Sequence, residues 1–183
     1  MRIFIDGVAV EANIGSITAQ LGITAIVNPA DSGLAPGAGI CGAIHSKAGP
    51  ELYQECLGHA PLHPSKVVIT SGHRLPNKYI IHCLPPTSRS RQAVQQLEKC
   101  YINSLLLAEE QRIDSVAFPS LYSGSLGTPP VSSTAIALGA VRKAAPLLSS
   151  VRRIRFVLFN RQIFIHYRNL MAANSESFRQ TIG

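Results

Sequence analysis

The sequence predicts an α/β protein, a three-layer α/β/α sandwich with a central mixed sheet. Two observations carry this expectation. Short β-branched runs alternate along the chain with segments whose apolar residues recur at helical spacing. One strand also ends in a glycine-rich loop that leads into an apolar, helix-forming stretch, and in open α/β sheets ligands sit beyond such strand ends.

Residues 2–12 alternate well enough for strand pairing, with Asp6-Gly7 as a tight turn. Residues 23–28 read as a buried strand, and 39–48 and 50–57 as helices, with Pro50 suited to a first helical position. Strands follow at 66–71 and 78–84, separated by a Gly-His-Arg-Leu-Pro-Asn turn, and Pro85-Pro86 stops the second. From residue 90 to 112, Val94, Leu97, Tyr101, Leu105 and Ala108 mark one face of a long helix. A short apolar strand at 115–119 runs into a Ser/Gly loop, and a helix between Pro129 and Pro146 spans 130–145. The last strand is 153–159 and the last helix 162–173, with residues 174–183 expected to form a frayed tail. With no internal repeat and no linker, residues 1–183 are expected to form one domain.

Hydrophobic residues make up 46% and charged residues 15% of the 183, which excludes a disordered chain. The net charge of +7 is unevenly placed: residues 115–183 hold 8 Lys/Arg against the single Glu176, whereas the rest balances. This basic part suits nucleic acid or a phosphorylated ligand, or is simply a solvated face. Four cysteines without metal-site spacing predict reduced thiols and a cytoplasmic setting. No apolar run approaches the roughly 20 residues of a membrane span, so no membrane partner is expected. The six histidines lack helical zinc-site pairing, and His82-Cys83 would point to opposite faces of a strand, so neither metal nor cofactor is expected. A monomer is the default.

Gly37-Ala38-Gly39-Ile40-Cys41-Gly42 matches G-x-G-x-x-G in form. A Rossmann site places that motif at the strand-to-helix turn with an acid ending the next strand; here the glycines start well after Asn28, and Glu55 lies on a helix. Glycine loops of this kind still bring backbone amides close to an anion. Ser123-Gly124-Ser125-Leu126-Gly127 is either a flexible turn or the opposite wall of a diphosphate site. Asn28 at its strand end is either a turn residue or a partner for a sugar hydroxyl.

Taken together, Ile26-Val27-Asn28-Pro29-Ala30-Asp31, Gly37-Ala38-Gly39-Ile40 and Gly42-Ala43-Ile44-His45 resemble the signature of macro domains. So do Ala48–Leu52, Lys78–His82, Val116–Pro119, Ser123-Gly124 and Phe156–Phe159, in the family's order, over residues 15–170. The resemblance implies recognition of ADP-ribose, free or on a protein. It places the diphosphate between Gly37, Ala38, Gly39, Ile40 and the loop Ser123, Gly124, Ser125, Leu126, Gly127. The adenosine would meet Ser16, Ile17, Phe159 and Asn160, and the distal ribose Asn28, Asp31 and Cys41. Phe159 is otherwise ordinary core at a strand end.

Three positions depart from the family pattern. Ser16 stands where the family often has an acid that holds the adenine amino group. Asp31 replaces the second asparagine of the signature; a carboxylate only accepts hydrogen bonds, which suits ribose hydroxyls but repels phosphate. Cys41 stands where the family's hydrolases commonly carry an acid that positions water. A thiol, with a free pKa of about 8.5, substitutes poorly for a carboxylate. A helix start would make Cys41 reactive; otherwise it is an inert small residue. The resemblance thus leaves open an ADP-ribosyl hydrolase or O-acetyl-ADP-ribose deacetylase in which Asn28 and Asp31, with or without Cys41, act on water.

Overall fold

The computed structural model describes residues 1–86, 91–121 and 130–180, apart from the side chains of 91, 130, 131 and 174–180. Its elements are β1 (Arg2–Ile5), β2 (Val8–Ile14), β3 (Ala25–Pro29), α1 (Gly39–Ala48), α2 (Pro50–Leu57), β4 (Val67–Ser71), β5 (Tyr79–Cys83), α3 (Arg91–Glu110), β6 (Ser115–Pro119), α4 (Pro130–Ala144), β7 (Arg153–Leu158) and α5 (Arg161–Gln180). Two short 3-10 turns, Ile17–Ala19 and Ala145–Leu147, complete them. Helix α5 therefore runs past residue 173, where the sequence placed its end.

The seven strands form one mixed sheet in the order β1-β2-β7-β6-β3-β5-β4. The inner pairs β2–β7, β7–β6, β6–β3 and β3–β5 are parallel, and the two edge pairs are antiparallel. The β1–β2 hairpin turns through Asp6 and Gly7, both at positive φ, the geometry that matches strand twist. This strand order is not that of a dinucleotide-binding sheet, in line with the displaced glycines.

Strand alternation divides the core in two. Ala25, Val27, Ile81, Val116, Phe118 and Phe156 pack with α3, α4 and α5, whereas Ile26, Ile80, Ala117 and Val157 pack with α1 and α2. Tyr101, Phe118, Phe156 and Tyr167 form a continuous aromatic row, with neighbouring centroids 5.2, 6.0 and 4.7 Å apart. In α3 the buried face is carried by Ala93, Leu97, Tyr101, Leu105 and Ala108, and Val94 is exposed. That shift by one residue reflects how the helix lies across β5 and α4.

Glu109, near the end of α3, ties the chain leading into β7. Its carboxylate accepts from the Ser149 hydroxyl at 2.6 Å and from the amides of Ser150 and Val151 at 2.9 and 3.1 Å. Burial pushes its pKa up, but these hydrogen bonds outweigh it and hold the group down at about 2, against an ordinary 4.5. A depressed acid stabilises the fold above its unfolded pKa and loses that contribution as pH falls toward the folded value. We expect Glu109→Gln to cost about 1 kcal/mol at neutral pH. Thermal melts at a series of pH values should show the gap to wild type closing below pH 4.5; a gap independent of pH would contradict this account.

Candidate functional site

Strand β3 leaves the sheet at Pro29, and the chain turns immediately. The Ala30 amide bonds to the Cys83 carbonyl at 2.8 Å, and Leu34, fully buried at φ 54°, pins the loop into the core. Asp31 stays exposed, its Oδ1 accepting from the Ala35 amide at 3.4 Å. Gly37, Ala38 and Gly39 are exposed where α1 begins. Gly39 sits at φ 60°, a conformation that disfavours a side chain. A Cβ on Gly42 would collide with the Gly37 carbonyl oxygen, so the loop lies directly against the helix. The residue that caps α1, Ala38, offers no side-chain acceptor. The first-turn amides thus form a partially positive, uncapped end.

Behind this loop runs a buried string of polar side chains. Asn28 Nδ2 donates to His82 Nδ1 at 3.1 Å and to Cys41 Sγ at 3.8 Å, and His82 Nε2 meets the Thr70 hydroxyl at 2.8 Å. Burial, with smaller contributions from His45 and His59, lowers the His82 pKa to about 3. The ring is therefore neutral, with Nδ1 bare for Asn28 and the proton on Nε2 for Thr70. Cys41 Sγ donates to the Ala35 carbonyl at 3.5 Å. Burial pushes its pKa up, against the pull of hydrogen bonds from Gly37 and Asn28, so the thiol stays protonated at neutral pH. Asn28 itself has no exposed surface. It lies behind Cys41, because its register opposite His82 in β5 and strand alternation turn it toward α1 and that ring. Its Oδ1 and both ring nitrogens of buried His45 find no partner among the described residues.

On the far side of the helix start, a cavity of about 520 Å³ opens. It is lined by Gly15, Ser16 and Ile17, by Gly39, Ile40 and Ala43 of α1, and by Ile14, Pro119, Val157 and Phe159 at or beside strand ends. Phe159 is 67% exposed and Ile14 54%, so this is an open apolar shelf and Phe159 is not core. Asn160 lies just beyond; its Oδ1 accepts from the Gln162 amide at 2.7 Å and caps α5. Of the expected contacts, Ser16, Ile17, Gly39, Ile40 and Phe159 come together here, with Gly37 and Ala38 in the adjoining loop. Ser123, Gly124, Ser125, Leu126 and Gly127 lie outside the described residues. Sequence reasoning missed Ile14, Gly15, Ala43, Pro119 and Val157. The signal for Ile14 was an apolar residue next to Gly15 at the end of an alternating run.

The basic excess lies partly elsewhere and is partly engaged. Arg153 opens β7 at the end of the strand away from the cavity, Arg155 pairs with Glu11 at 2.9 Å, and Lys143 with Glu98 at 2.6 Å. Among the described residues, no helix is long and apolar enough to cross a membrane.

A seven-stranded α/β/α sandwich, with an uncapped helix start facing an apolar shelf, defines a domain built around a nucleotide-sized cleft. The macro domain family model matches residues 27–137, and the chain belongs to that family. It is 46% identical over 113 residues to an uncharacterised protein of Fusobacterium nucleatum, a match covering 60% of this chain and 64% of that one. It is 34% identical over 170 residues to an O-acetyl-ADP-ribose deacetylase of Citrobacter rodentium, covering 88% and 94%. A single-substitution variant of the Oceanobacillus iheyensis macrodomain, solved with ADPR, superposes with a TM-score of 0.89 at 31% identity, over 96% of this chain and 98% of that one.

The contact between Gly42 and Gly37 predicts how the loop fails. Gly42→Ala should lift the loop off α1, destabilise the protein by ~1–3 kcal/mol and expose Cys41 to thiol reagents. Labelling that is no faster than in wild type, read by mass spectrometry at Cys41, would show that the loop tolerates the methyl group.

Proposed function

We propose that the chain binds ADP-ribose, free or attached to a protein. The observation that carries this reading is the juxtaposition of the uncapped α1 start with the Phe159 shelf across one cavity. The diphosphate lies over the amides of residues 37–40, where partial positive charge and close backbone favour an anion. The adenine lies on Phe159. The distal ribose lies toward Asp31, the exposed carboxylate of the loop, with Cys41 behind it and Asn28 fixing the floor. The domain occupies residues 1–183, works as a monomer and, with four free thiols, suits a reducing compartment such as the cytoplasm.

Binding rather than turnover is the primary reading, because a thiol held protonated by burial neither takes a proton from water nor attacks carbon. One observation favours a second reading as an ADP-ribosyl hydrolase or O-acetyl-ADP-ribose deacetylase. Asp31 is an exposed acceptor with room for a water, and a relative matched over 88% of this chain carries the deacetylase name. Nucleic acid is the third candidate; the ion pairs of Arg155 and Lys143 reduce the charge available to a polyanion.

Calorimetry should show saturable ADP-ribose binding, weakened in Phe159→Ala by about 1–3 kcal/mol, the range of a lost base stack. No heat at millimolar ADP-ribose overturns the reading. For turnover, release of ADP-ribose from a modified protein and of acetate from O-acetyl-ADP-ribose should be slow in wild type and rise in Cys41→Asp. If wild type turns over rapidly and Asp31→Ala abolishes it with binding intact, the enzyme reading replaces the binding one.

A further inference from the structure

Ser16 carries the only polar side chain among the described residues lining the cavity. Among the described residues no carboxylate and no side-chain amide lines the space, and the sequence of residues 122–129 contains no Asp or Glu. The neighbouring amide side chains are engaged at the atoms that matter. Gln20 Nε2 donates to the Ser16 carbonyl at 2.6 Å, and Gln20 Oε1 accepts from Arg155 at 3.2 Å. Asn160 Oδ1 caps α5.

The Ser16 hydroxyl accepts from the Thr18 amide at 3.3 Å and shares a hydrogen bond with the Thr18 hydroxyl at 2.9 Å, in which either oxygen can donate. A hydroxyl has one proton and two lone pairs. If Thr18 donates, both Ser16 lone pairs are filled and its proton is free. If Ser16 donates, one lone pair is free. Rotating the pair therefore converts Ser16 from donor to acceptor without moving a heavy atom. Ile14, Ile17, Val157 and Phe159 meanwhile hold any planar base by its face, which is indifferent to the substituents on its edge.

We propose that the cavity accepts purine nucleoside diphosphate riboses with either an amino or an oxo group at position six, so that it takes inosine diphosphate ribose as well as ADP-ribose. This rests on the ADP-ribose reading above. With adenine, Ser16 accepts from the six-amino group; with hypoxanthine, it donates to the six-oxygen. A carboxylate in its place would only accept, and would repel the oxygen.

The test is calorimetry on the full chain with ADP-ribose and inosine diphosphate ribose in parallel. Dissociation constants within about fivefold of each other are expected, and a larger preference for ADP-ribose overturns the proposal. Ser16→Ala should weaken both ligands alike and leave their ratio unchanged, whereas Ser16→Asp should open a preference for ADP-ribose of about tenfold. A ratio that shifts in Ser16→Ala shows that Ser16 does not serve both bases alike, and one that stays flat in a folded Ser16→Asp shows that it does not read the base edge; either overturns the proposal. If ADP-ribose itself fails to bind, the underlying reading falls and this one with it; if it binds while the inosine compound does not, only this one falls.

Discussion

The string Thr70–His82–Asn28–Cys41 is the constraint on which the site depends. It crosses three neighbouring strands and ends on α1, with every member buried. A buried polar group without a partner costs more than a satisfied one contributes, so each member holds the next in place. Neutral His82 is the hinge of this logic: with its proton on Nε2, it can accept from Asn28 and donate to Thr70 in one plane. The end of β3 and the first turn of α1 are thereby locked together. The loop between them has a short span in which to reach Gly37 and come back over Gly42.

The distribution of charge follows a related economy. Acids of the described chain are largely drawn into internal bonds: Glu11 to Arg2 and Arg155, Glu51 to Arg74, Glu55 to His73 and the Ser71 amide, Glu109 to the turn before β7. Asp31, exposed like Asp6 and Glu110, has only a long local contact, and it stands in the glycine loop. The cavity beside it is almost wholly apolar. In the proposed ADP-ribose reading, anion recognition falls to backbone amides, which carry partial charge at little desolvation cost.

Much of the fold was legible. The Asp6-Gly7 turn, the limits of α1, α2 and β6, and the stop before Pro85 are local events set by propensity and turn chemistry. What the sequence did not give locally was the partner of β2, which lies at 153–158, since pairing between distant strands leaves no local mark. Within the site, residue types that act through their backbone or their flat faces were readable: Gly37, Gly39, Ile40, Ile17 and Phe159. The burial of Asn28 was not legible, because an amide at a strand end looks the same whether or not a histidine is buried beside it. Only the three-dimensional neighbours of β3 decide it.

That distant pairing carries a consequence for how the molecule is assembled. A ribosome delivers β2 well before β7, with 138 residues of intervening chain between Ile14 and Arg153. Strands β3, β5, β4 and β6, together with the glycine loop, can dock among themselves while the leading hairpin still waits. The amide cradle can therefore form before the shelf, whose two halves, Ile14 to Ile17 and Val157 to Phe159, meet only once β7 has docked. Until that closing step, an apolar strand edge stays open to chaperones and to neighbouring chains.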